Sequence, residues 1–233
     1  MTESKNTKRK TILYALGEII LILIGVFLGL QVDRWNEQRK NSDRELLILN
    51  DIKNDLNSCK NELEENINFN KFSLGQLENI EKILNNHNSY ENDVVSSLGL
   101  ITEWKSPYMT SVAYQTFKGQ ELGLIKNNEL KKKIIKLNEI SLLSLSNDYD
   151  KIETDFTQNI VLPSLIKKME PIPNSKNYEF RPSNFTDLKN DNEFKMMINT
   201  LILLRGKGIR LMTECSEEIS NTIDLIEQET QSK

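Results

Sequence analysis

The sequence predicts an all-α chain in which one N-terminal transmembrane helix continues into a long-helix antiparallel bundle. Three observations carry that prediction. Between Ile12 and Val32 every residue is apolar or small except Glu18 and Gln31. Between Gln31 and Ser73 there is no Pro or Gly, and Glu, Lys and Leu, all good helix formers, dominate. Charged residues make up 27% of the chain and aromatics only 7%, which suits long solvated helices better than a sandwich or barrel.

The apolar run fits a bilayer. At 1.5 Å per residue, residues 12–32 reach roughly 30 Å, about the thickness of a hydrocarbon core. A lone segment satisfies its own backbone there only as a helix. Trp35 follows the apolar end, where an amphipathic ring suits the headgroup layer. Residues 1–11 then form a basic cytoplasmic tail, 12–32 the span, and 33–233 an extracytoplasmic helical-bundle domain with a loop at 171–190. The run lacks a small-x-small cleavage site and reads as an uncleaved anchor. Lys5, Lys8, Arg9 and Lys10 before it nearly balance Arg34, Arg39, Lys40 and Arg44 after it. The cost of translocating a short, strongly basic tail decides for an N-terminus in the cytoplasm.

Inside the span, Glu18 is expensive, near 3 kcal/mol for an acid at a helix centre and less towards an end. Gly25 and Gly29 form a GxxxG pair, which lets two backbones approach closely. At 100° per residue the two glycines fall about 20° either side of Glu18, so all three share a face. That face suits packing against a second copy of the chain, with Glu18 protonated or hydrogen-bonded. The sharper alternative is a proton-carrying carboxylate, as in single-span subunits of ion-driven stators.

Beyond the span the helix continues in heptads. With Leu49 at position a, the a/d sites are Leu49, Ile52, Leu56, Cys59, Leu63, Asn66, Asn70, Ser73, Leu77, Ile80 and Leu84. The polar sites cluster at 66–73, where Ile67, Phe69, Phe72 and Leu74 supply apolar groups in another phase, so a stutter or kink near Gly75 is expected. Residues 85–93 form a polar turn. A short helix around 94–104 ends before Ser106-Pro107. Ser111 caps the next helix, which Gly119 terminates near Lys118. Asn127 or Asn128 caps a helix over 128–168, with Glu129 in its first turn. Its stripe is Leu130, Ile134, Leu137, Ile140, Leu145, Tyr149, Ile152, Phe156 and Ile160. Pro163 should kink it about one turn earlier, and Pro171 and Pro173 end it. The final helix begins near Asp191. In it, Arg205, Lys207 and Arg210 with Gly206 and Gly208 form either an anion site or, the reading favoured here, a bend or close crossing with a solvated basic face.

Several chemistries are poorly supported. A net charge of −4 argues against nucleic-acid binding. One histidine, His87, and two cysteines without metal-like spacing do not build a zinc site or a Cys–His nucleophile. Glu62, Glu64 and Glu65 read as a solvated helix face. No phosphate loop or nucleophile elbow occurs, so no catalytic, cofactor or metal residues are assigned and the chain is read as a non-enzyme. Cys59 and Cys215 fall at similar heights on core stripes. A disulfide between them is the sharper reading, and two small buried hydrophobes the favoured one.

The string YALGEIILILIGVFLGLQVDRWNEQRK resembles the opening of an uncharacterised domain family of single-span helical proteins from Bacteroidota. The stretch SVAYQTFKGQELGLIKNNELKKKI, residues 111–134, is similar to a second recurrent piece of that family, with Tyr114, Leu124, Ile125, Asn127 and Leu130 in matching places. Gly29 stands where Ala is usual. The resemblance implies a bacterial inner-membrane protein of unknown function; the basic tail, read above, makes it single-pass with its C-terminal domain in the periplasm. It carries over no catalytic residues. The expected function is a membrane-anchored helical interaction, sensory or scaffold protein that meets the bilayer, a second copy of itself and a protein partner. The alternative is an accessory subunit of a stator-like or transport complex that uses Glu18.

Overall fold

The computed structural model describes residues 3–86, 91–107, 111–121, 123–173 and 179–231; for 3–17, 91–93, 96, 120 and 121 it describes the backbone alone. Residues 87–90 of the polar turn at 85–93, His87 among them, and the side chains of the basic tail lie outside the described residues. The chain divides into two units, Met1–Ile48 and Leu49–Lys233.

Helix α1 runs from Glu3 to Asn85 without a break. Within the first unit every described side chain from Glu18 to Lys40 is exposed. Among the described residues no helix is long and apolar enough to cross a membrane. Six of the residues of the 12–32 run lie where only the backbone is described, so the described residues do not by themselves carry the expected span.

In the second unit the heptad seam of α1 holds its phase. Leu49, Ile52, Leu56, Leu63, Leu77, Ile80 and Leu84 are buried, and so are Asn66, Asn70 and Ser73 between them. The helix passes through Gly75 as regular α-helix, and the out-of-phase Phe72 is exposed. The expected stutter is therefore absent here. Asn70 and Ser73 stay in the core because they have hydrogen-bond partners there.

The leg after α1 runs back along it. Helix α2 (Glu91–Leu98) is followed by a strap at 99–107, then α3 (Val112–Thr116) and a π turn, Phe117–Glu121. Ser97 contacts Gln76 and Asn79; Lys105 meets Asn70; Ser111 and Ala113 donate to Asp55. Numbers rise on one side and fall on the other, so this leg is antiparallel to α1. Its residues 97–113 accompany residues 76–55 of α1, about 31 Å of helix, while the same residues coiled as α-helix would cover only about 24 Å. Part of the leg must be extended, and the strap around Pro107 supplies it. Helix α2 accordingly starts earlier and ends sooner than the expected 94–104. Ser111 caps α3 by accepting from the Tyr114 N–H, as expected, but Gly119 lies within the π turn and does not terminate the helix.

The third leg is a composite helix over 128–168. Asn127 caps its first segment, α4 (Asn128–Lys136), by accepting from Glu129 and Leu130. Segments α5 (Leu142–Ser144), α6 (Lys151–Phe156) and α7 (Leu162–Lys168) alternate with π turns at Leu137–Ser141, Leu145–Asp150 and Thr157–Val161. The buried series is Leu130, Ile134, Leu137, Leu142, Leu145, Tyr149, Glu153, Thr157, Val161 and Leu165. Its mean step of about 3.9 residues exceeds the 3.6 of an α-helix, and the π turns absorb the excess. Ile140, Ile152 and Ile160, read as core at α-helical spacing, are exposed for this reason. A π turn precedes Pro163, where the missing N–H relaxes the ladder, at the position expected for a kink.

The described residues of 171–190, namely 171–173 and 179–190, form more than a linker. Strand β1 (Met169–Pro171) pairs antiparallel with β2 (Phe180–Pro182), and α8 (Phe185–Asn190) follows, capped by Asn184. The last helix, α9 (Asn192–Gln231), begins at Asp191, which accepts from the Phe194 N–H. It returns antiparallel to both long legs: Lys53 pairs with Glu227, Lys136 with Glu218, and Lys168 with Asp191. The result is an all-α bundle of four legs alternating in direction, the second of them only partly helical. One hydrophobic cluster gathers Leu77, Ile80, Val94, Leu98, Val161, Phe194, Ile198 and Leu201.

Candidate functional site

Where α1, the strap, the composite helix and α9 meet, the core is polar. Arg205 of α9 and Glu153 of α6 are both fully buried. The Arg205 Nε and Nη2 donate to Glu153 Oε1 at 3.2 and 2.7 Å. Nη1 donates to Ser73 Oγ and to the Glu103 carbonyl of the strap. Ser73 itself donates to the Glu103 carbonyl at 2.9 Å. One turn away, Asn70 holds the strap as a strand would, donating to the Lys105 carbonyl at 2.7 Å and accepting from the Lys105 N–H at 2.9 Å. Its amide also donates to the Tyr149 hydroxyl at 3.3 Å. Three α1 and α9 side chains thus fasten an irregular segment whose backbone groups have no ladder of their own.

The electrostatics follow from burial. Loss of solvent pushes the Glu153 carboxyl upward, with Arg205 opposing it. Burial likewise raises the Tyr149 phenol, with Glu153 adding to the shift and Arg205 easing it. A buried pair of this kind adds little net stability, because desolvation offsets much of the attraction. What it does is fix which residues meet: any other register would leave a charge alone in the core.

Gly208 belongs to the same centre. A Cβ there would overlap the Tyr149 ring, so glycine is what lets the ring lie against α9. Helix α9 runs through Gly206 and Gly208 unbroken. The close crossing read from RGKGIR is present, but its basic face is not solvated throughout. Arg205 is buried, Lys207 donates to the Asp148 carbonyl in a π turn, and only Arg210, paired with Glu214, stands in solvent. The three cations therefore point to different partners and do not converge on an anion site.

The other sequence-predicted residues lie elsewhere. Glu18, Gly25, Gly29 and Trp35 are exposed on the first unit, with nothing within 4 Å of a Cβ built on either glycine. Cys59 is half-buried on α1 and Cys215 buried on α9; the two are not disulfide-bonded, and Cys215 adds to the upward shift of the Cys59 thiol. Among the described residues no group of three His, Cys, Asp or Glu side chains could hold a metal ion. Glu153, Asn70, Ser73 and Tyr149 were not singled out as a set from the sequence. The available signal was the run of polar residues at seam positions 66, 70 and 73, a polar layer that could be mistaken for a fault in the repeat. No protein-family model, curated protein or solved structure matches the chain.

Proposed function

We propose that this is a membrane-anchored helical scaffold or sensory protein whose bundle faces the periplasm and engages a protein partner. One observation carries the reading. A single unbroken helix, α1, is apolar on all sides over one part and buried on one side only over another. From Ile19 to Val32 the apolar side chains are exposed around the whole circumference, Leu21 by 71% and Phe27 by 60%. From Leu49 onward burial is confined to one face, the seam with Ile67 and Ile83 beside it. An all-round apolar helix calls for lipid, and a one-sided helix calls for a bundle. The sequence extends the apolar run back to Ile12, which completes a bilayer's length. Membership of the single-span Bacteroidota family is part of the same proposal, as is self-association through Glu18, Gly25 and Gly29. No catalytic step belongs to it.

Fusion of a reporter active only in the periplasm to the C-terminus should give signal, and carbonate washing should leave the protein in the membrane fraction. A reporter active only in the cytoplasm, or release by carbonate, would refute the reading. Glu18 motivates the second reading, the stator-like subunit. If Glu18 only holds a helix interface, Glu18→Gln should preserve self-association while Glu18→Ala weakens it. A Gln variant that assembles normally yet behaves as a deletion would transfer the proposal to proton transfer.

A further inference from the structure

The bundle carries a cleft that the anchor reading does not use. It encloses about 870 Å³, within the range of small-molecule and peptide-side-chain sites, and lies between the strap, α3 and the composite helix. Three of the π turns found among the described residues supply its wall: Lys118 comes from the first, Glu139 from the second and Asp150 from the third. Such turns concentrate at functional sites because they re-aim side chains that a regular helix would point elsewhere.

Two carboxylates in the wall are held at one oxygen each. Glu139 Oε1 accepts from the Tyr114 hydroxyl and from Lys118 Nζ, both at 2.8 Å, and neither donor engages Oε2. Asp150 Oδ1 accepts from the Trp104 Nε1–H at 3.2 Å, and this bond leaves Oδ2 unengaged. The eleven helical steps from Glu139 to Asp150 put the two acids at most about 16 Å apart along the helix. Lys118 offsets one of the two charges, so the wall is net negative. Val112 and Leu143 add exposed apolar surface beside the acids.

We propose that this cleft binds organic cations, an amine or guanidinium on an apolar stem, with Glu139 Oε2 as the acceptor for one and Asp150 Oδ2, farther along the wall, for a second. Carboxylates already oriented by a tyrosine, a lysine and an indole need no reorganisation to receive a cation, and guanidinium matches them best. The stem would lie along Val112 and Leu143. The source of the cation is either a free small amine or a basic side chain of a partner peptide, and the carboxylate spacing would let an extended peptide present two such groups.

The test uses the full chain in nanodiscs of zwitterionic lipid, with empty nanodiscs as control, and follows binding by NMR shift changes. The probes are butylguanidinium, butylammonium, butanol, butyrate and the acetylated amide peptide Leu-Arg-Leu-Arg-Leu. Both cations should bind at least tenfold tighter than butanol or butyrate, and Glu139→Gln should weaken them at least fivefold. Lys118→Met removes the competing cation without removing an acceptor and should leave cation binding equal or tighter. A peptide at least tenfold tighter than butylguanidinium points to a peptide source, and equal affinities to a free amine. Indifference to charge, or unchanged affinity in both Glu139→Gln and Asp150→Asn, overturns the proposal. Failure of the topology experiment would leave this result standing, since the cleft lies wholly within the second unit.

Discussion

Replacing Arg205 with Met deletes the cation of the buried centre while nearly keeping its volume. The side chain gives up four hydrogen bonds, two to Glu153, one to Ser73 and one to the Glu103 carbonyl. Ser73 still donates to the strap, so that carbonyl keeps a partner. Glu153 loses both hydrogen bonds to its Oε1, its Oε2 has no partner, and the side chain is fully buried. An uncompensated buried charge of this kind costs about 3–5 kcal/mol, less whatever the carboxyl recovers by taking up a proton. Glu153→Met alone should cost a similar amount, because it strands Arg205. The double variant removes both charges together. Its expected loss is only about 1–2 kcal/mol, chiefly the bond from Arg205 to the strap. Urea unfolding of the full chain in micelles, followed by Trp104 fluorescence, measures all three; Trp104 is held to the third leg through Asp150 and should report the strap's release. The cycle should return a coupling of at least 2 kcal/mol. Single losses that simply add in the double variant would show that the two charges do not depend on each other, and the account of the centre would fall.

Other consequences are as direct. Gly206 has nothing within 4 Å of a built Cβ, so Gly206→Ala should stabilise α9 by about 1 kcal/mol, whereas Gly208→Val should destabilise by about 1–3 kcal/mol through overlap with Tyr149; melting both against the parent checks the contrast. Burial pushes both thiols, Cys59 and Cys215, up to about 12. The folded protein should therefore react slowly with iodoacetamide at pH 8, and denaturation should release two thiols; recovering none without a reductant would show that the pair is bridged in the cell. Asp191 is held below its ordinary value of 3.8 by Lys168 and by the Phe194 N–H. Its contribution is present above that value and is lost as pH falls through its lowered value. Asp191→Asn should thus lower stability at neutral pH and flatten the acid limb below about pH 4; parallel acid limbs would exclude Asp191 from it.

Much of the architecture was legible in the sequence for local reasons. The α1 seam, the caps at Ser111 and Asn127, the start of the last helix near Asp191, and an irregularity one turn before Pro163 all follow from spacing, side-chain hydrogen bonding to the nearest N–H groups, or a missing donor. Each depends on residues within a few positions of one another. The same holds for the apolar run at 12–32, whose composition is a property of the segment alone.

What only the tertiary structure decided depends on partners far apart in the chain. Asn70 and Ser73 look like faults in a heptad until a strap some thirty residues later arrives with unpaired backbone groups. Glu153 looks like a surface acid until Arg205 is brought beside it, and Arg205 looks like a solvated cation until Gly208 admits the Tyr149 ring. The core period of the composite helix follows the same rule, since its π turns exist to keep distant partners facing it. Periodicity records which positions can be buried cheaply. It cannot record that two costly groups, each forbidden alone, become acceptable once the fold makes them neighbours.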